Sequence, residues 1–217
     1  MFTRDYILRM IETLSAAFQK ILLMKQTKDF DGAAAELNVT AKKLIGLELK
    51  HIRTFTDGKI IELTRLEKDT AAVKLYVTGV LLKEDASIAF TLGLTDESAD
   101  LYLKSVSLLL ESYLQDSRPV HSDHGLLIEE IKKNLNDFNI PEKISHKLFL
   151  YYENTGQFGK AEDVLFELIE AYPAHINEGI LFYERLLGKN DEELIKGNLP
   201  REEVSESISL LKNKLIN

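Results

Sequence analysis

The chain has 217 residues, 45% apolar and 29% charged, with a formal net charge of -8; this is a composition that folds, and it suffices for one core or one continuous repeat array. Zero cysteines exclude disulfides, thiolate zinc sites, iron–sulfur clusters and cysteine nucleophiles, and they fit a reducing compartment. Residues 1–70 hold 12 Lys+Arg against 10 Asp+Glu, leaving 15 against 25 for the rest, so any basic surface is N-terminal and the acidic remainder repels nucleic acid.

A first helix is predicted over Arg4 to Lys25, capped by Thr3, because Ile7, Met10, Ile11, Leu14, Phe18 and Ile21 recur at three- and four-residue steps. The expectation is a core helix. The alternatives are a dimerisation or membrane-surface helix edged by Arg4, Arg9, Lys20 and Lys25. Arg4, Asp5, Arg9 and Glu12 interrupt any signal-peptide core, and the helix's longest uncharged run, Thr13 to Gln19, is far short of the ~20 residues a bilayer needs. A short helix GAAAELN follows, then VTAKKLIGLE with Thr40 as a second cap; Leu49 to Thr56 reads as irregular, Asp57-Gly58 as a turn, and KIIELTRLEK as a short helix. Two long helices run from about Asp69, separated at Gly93, the second capped by Thr95 with Ser98 as its partner three residues on. DSRPVHSDHG is the expected exposed loop. The helix LLIEEIKKNLNDF precedes Pro141, the pair ISHKLFLYYENT and KAEDVLFELIEAY is closed by Pro173, and a shorter pair, NEGILFYERLL and DEELIK, precedes a capping helix after Leu199-Pro200. Period-two runs are almost lacking, so the fold class is all-α.

In TGQFGKAEDVLFELIEAYP, Gly156 supplies an interhelical turn, Phe158 fills the gap between helices, and Ala161 permits close approach. Leu165 and Leu168 bury the second helix and Pro173 stops it. With Leu148, Phe149 and Tyr152 upstream, this unit resembles the tetratricopeptide repeat, departing from it at Phe149, where that family prefers glycine. Two weaker copies fit the same template: Leu82, Ala86, Ala89, Gly93, Ser98, Tyr102 and Ser105; and Ala17, Ile21, Met24, Asp29, Phe30, Ala33 and Leu37. Lys28 to Gly93 is 65 residues and Gly93 to Gly156 is 63, near two ~34-residue periods. Through FTRDYILRMIE, YYENTGQFGKAEDVLFELIE and FYERLLGKNDEELIKGNLPREEV, the chain also resembles an uncharacterised bacterial family of tetratricopeptide-like proteins. That resemblance implies a helical-repeat fold and a cytoplasmic location, with no activity attached. The expected organisation is an N-terminal segment over 1–68 with a degenerate hairpin and an array over 69–217 with its capping helix.

A repeat array exposes the inner face of each first helix, here Lys143, His146, Leu150, Glu153 and Asn154, as a candidate groove for a protein or peptide. Leu150 stands where the carboxylate clamp of tetratricopeptide adaptors, which Lys143 and Lys147 would serve, needs Asn. His121 and His124 in the polar loop lack further ligands and read as loop polarity beside a cap at Ser122 or Asp123; His51, His146 and His175 are isolated and read as structural. AAAELNVTAKKLIGLE mimics a DNA-binding helix-turn-helix over residues 33–50, with a turn at Asn38-Val39-Thr40 and Lys42 and Lys43 on the second helix; Glu36 and Glu48 oppose that reading. Acidic pairs such as Glu129-Glu130 and Glu202-Glu203 suit helix first turns and solvated faces. No catalytic, metal or cofactor constellation is recognisable. The expectation is a non-catalytic interaction protein, with a peptide-responsive DNA-binding regulator or a homo-oligomer through the first helix as alternatives.

Overall fold

The computed structural model describes residues 2–67, 69–116 and 119–216, in which twelve α-helices and one turn of 3-10 helix occur and no strand. Lys68, at the expected domain break, and Ser117 and Arg118 of the expected loop lie outside the described residues, as do the side chains of Thr3 and Arg4. The chain forms two compact units that meet between Asn139 and Ile140 in sequence. The first holds α1 (Phe2–Gln26), α2 (Phe30–Ile45), α3 (Leu49–Thr54), α4 (Asp57–Arg65), α5 (Ala71–Thr91), α6 (Thr95–Asp116) and α7 (His124–Asn134). The second holds α8 (Glu142–Asn154), α9 (Phe158–Ala171), a 3-10 turn (Pro173–His175), α10 (Ile176–Leu187), α11 (Asp191–Lys196) and α12 (Arg201–Ile216).

In the first unit α5 is the centre. It is buried around its circumference: sixteen of its residues, Lys74, Lys83 and Asp85 among them, lie beneath α6, α2, α4, α3 and α1. The pairing of α5 with α6 is set by small residues. Ser98, Ser105 and Ser112, seven apart, donate hydroxyl hydrogen bonds to the carbonyls of Ala86, Gly79 and Ala72, which are also seven apart and run in the opposite sense. A seven-residue step keeps the contact on one stripe of each helix, and each carbonyl has a second lone pair for the serine. Glycine at 79 is required by proximity: a Cβ there would stand 2.9 Å from Leu109 Cγ and 3.2 Å from the Ser105 carbonyl oxygen.

The turn expected at Asn38-Val39-Thr40 does not form, because α2 runs unbroken from Phe30 to Ile45 with Asp29 capping the Gly32 amide and Gly46 (φ +86°) ending it. Asn38 folds its amide onto the Ala34 carbonyl and accepts the Lys50 amide, so its turn chemistry is used without breaking the helix. Lys42 and Lys43 therefore belong to the last turn of α2, and no helix-turn-helix occupies that place. The segment after Leu49 is a helix, α3, held by buried Leu49 and Ile52 and by Arg53, whose guanidinium grips the buried Asp85 carboxylate through two bonds and reaches Glu97 at 2.6 Å. Thr95 is already helical, and the Ser98 hydroxyl bonds across to α5 instead of completing a capping box. Helix α1 likewise already includes Thr3, and it turns Met10, Leu14, Ala17 and Ile21 into the core.

Four helix pairs close with one turn; that at Asn198 (φ 59°) closes Leu199 on Leu194 (3.0 Å), and the other three also share the residue register around it. Lys28, Gly93 and Gly156 all adopt left-handed φ (61°, 78° and 72°). After each, the next amide closes back on the carbonyl five residues earlier: Asp29 on Met24 (2.8 Å), Leu94 on Ala89 (2.9 Å) and Gln157 on Tyr152 (2.9 Å). Five, nine and twelve residues beyond the turn stand Ala33, Leu37 and Thr40; Ser98, Tyr102 and Ser105; and Ala161, Leu165 and Leu168, all buried. Seven residues before it stand Ile21, Ala86 and Phe149, also buried.

Candidate functional site

Helix α8 begins after Pro141, whose backbone (φ -60°, ψ 145°) sets the N-cap, and α10 begins after the Pro173–His175 turn. Between the two helices the Phe149 and Phe182 rings pack edge to face, centroids 5.3 Å apart, both fully buried. Polar side chains flank that aromatic contact on both sides. On one side Glu153 accepts two bonds from the Arg185 guanidinium, at 2.7 and 2.8 Å. On the other, Glu178 reaches His146 Nε2 through Oε1 at 2.7 Å and His175 Nδ1 through Oε2 at 3.0 Å, and His175 Nε2 meets Glu142 Oε1 at 2.9 Å.

The electrostatics follow from these contacts. Burial alone would lower the His175 pKa, but bonds to Glu178 and Glu142 outweigh it and raise it. Burial would raise Glu178, and the two imidazoles lower it instead. The bidentate bond to Glu153 raises Arg185.

Of the five residues expected on the groove face, His146 and Glu153 are engaged with α10, Asn154 turns its amide onto the Leu150 carbonyl at 2.8 Å, Leu150 is half-buried and Lys143 is exposed. His146 and His175, isolated in sequence, lie with ring centroids 5.5 Å apart. Neither hydrophobic periodicity nor residue spacing joins them, because 28 residues and the whole of α9 intervene. The His121 and His124 pair behaves differently. His124 is buried and donates from Nε2 to the Leu109 carbonyl, and burial lowers its pKa; His121 bonds Asp123 at 2.7 Å. Asp123 precedes α7 without capping it, taking the Tyr76 hydroxyl at 2.6 Å instead. Among the described residues, His146, His175 and Glu178 are the group whose donor atoms converge, all within 4.8 Å of one another.

The model of a family of unknown function matches residues 1–215. The chain belongs to that family, DUF6483. No curated protein and no solved structure matches it. Within this family member, no described helix is long and apolar enough to cross a membrane.

Proposed function

We propose that this chain is a non-catalytic, cytoplasmic, tetratricopeptide-like helical-repeat protein that binds a protein or peptide. The observation that carries the reading is the shared left-handed turn at Lys28, Gly93 and Gly156, with buried residues in common register on both sides of it. Repeated hairpins of this kind present extended faces for partners, and their sequence constraint is spent on packing. The α8–α9 pair supports the tetratricopeptide likeness best: Phe158 and Ala161 are buried as that repeat requires, and Pro173 opens a new turn after α9. Lys143 and Leu150 remain at the surface of α8 as partner-facing residues, beside a His146 and Glu153 already committed to α10.

The test is affinity capture with the full chain and a Lys143→Glu/Leu150→Glu variant of unchanged circular dichroism. A partner held by the wild type and lost by the variant is expected. Equal retention by both proteins, or substrate turnover by the purified chain, would overturn the proposal.

A further inference from the structure

We infer that His146, His175 and Glu178 form a binding site for a divalent first-row transition metal of the zinc class, in which Glu142 is the positioning carboxylate. The geometry is close to that of a bound ion. Tetrahedral ligands at 2.0–2.1 Å from zinc stand about 3.3 Å apart; here the carboxylate oxygens of Glu178 lie 2.7 Å from His146 Nε2 and 3.0 Å from His175 Nδ1. All three donors fall within 4.8 Å of one another, so side-chain adjustments of at most about 1.5 Å bring them to ligand spacing around an ion. The donors sit on well-defined elements: His146 within α8, His175 ending the proline-led 3-10 turn, and Glu178 one turn later in α10.

A fourth group makes the set more than a chance cluster. The second nitrogen of His175, Nε2, faces Glu142 Oε1 at 2.9 Å. With Nε2–H donating to Glu142, the lone pair of Nδ1 is directed at the position shared by Glu178 and His146, the outer carboxylate arrangement that orients metal-bound histidines. Two imidazoles and a carboxylate favour zinc, cobalt, nickel or ferrous iron over calcium or magnesium, which need more oxygen ligands. Side-chain exposures of 33%, 18% and 28% for His146, His175 and Glu178 leave the cluster reachable from solvent, so three protein ligands and a water complete the shell.

The experiment is a zinc titration of the chelator-treated full chain by calorimetry, repeated with cobalt(II) as a spectroscopic probe. One saturable equivalent is expected, weakened about 100-fold in His146→Ala and Glu178→Gln and about 10-fold in Glu142→Gln, with His121→Ala unchanged. On the unaltered chain, cobalt should shift the ring protons of two of the five histidines, His146 and His175. No saturable binding up to about 1 mM zinc, equal binding by the variants, or paramagnetic shifts at His51, His121 or His124 instead, would overturn the site. A metal-binding chain with no protein partner would leave the site standing and remove the interaction reading.

Discussion

The two units use the same turn and opposite crossings. Seven residues before Gly93 stands Ala86, and α5 meets α6 through Gly79 and three serines; seven before Gly156 stands Phe149, and its ring occupies the space between α8 and α10. Small residues let backbones approach until hydroxyls reach the neighbouring helix's carbonyls. An aromatic crossing instead places long polar side chains at its margins, where His146, Glu178, Glu153 and Arg185 bridge the gap in partial contact with water. Crossing chemistry, rather than turn geometry, decides whether a helix contact buries its polar groups or presents them.

That contrast is broken most severely at the aromatic crossing. Phe149→Ala removes a fully buried ring and should cost about 4 kcal/mol in urea unfolding, with hydrogen-exchange protection falling in α8 and α10. Gly79→Val forces a side chain against Leu109 and the Ser105 carbonyl and should cost about 3 kcal/mol; wild-type stability in that variant would mean α5 and α6 tolerate separation. Ser105→Ala deletes one rung and should cost about 1 kcal/mol, since the Gly79 carbonyl loses a buried donor.

The shared turn is sharpened by two substitutions of opposite sign. Lys28→Gly should stabilise, and Gly156→Ala destabilise, each by about 1 kcal/mol, because only glycine holds a left-handed φ without a Cβ clash. Equal signs in thermal melts would separate the Lys28 turn from the other two.

The mildest perturbation is acidification. Burial lowers the His124 pKa below its ordinary 6.5, so the folded chain holds the ring neutral. Its contribution to stability is present above about pH 6.5 and is lost as the pH falls through the lowered folded value. Exchange protection in α5 and α6 should therefore decline on going from pH 7 to pH 5, and His124→Gln should flatten that decline; an unchanged slope would show that another group governs it.

Much of the helical frame was legible because each signal is local. A glycine before a helix start, alanine or serine five residues on and leucine or tyrosine nine residues on constrain the chain within two turns, and these positions are buried as their spacing implies. Helix α3 escaped notice because six residues carry too little periodicity; Leu49, Ile52 and Arg53 become helical in company with α5 and α6. Asn38-Val39-Thr40 misled for the converse reason, since a turn signal was absorbed inside a continuous helix.

Residue order by itself determined an all-helical chain, the three turns and the apolar register around them, because backbone φ, helix period and side-chain size act between near neighbours. Only the tertiary structure decided which helices met, and with that the serine rungs onto α5, the Arg53 grip on Asp85 and the convergence of His146, His175 and Glu178. Those contacts join residues far apart in the chain, and their geometry exists only after helix packing has fixed distances that no local pattern encodes.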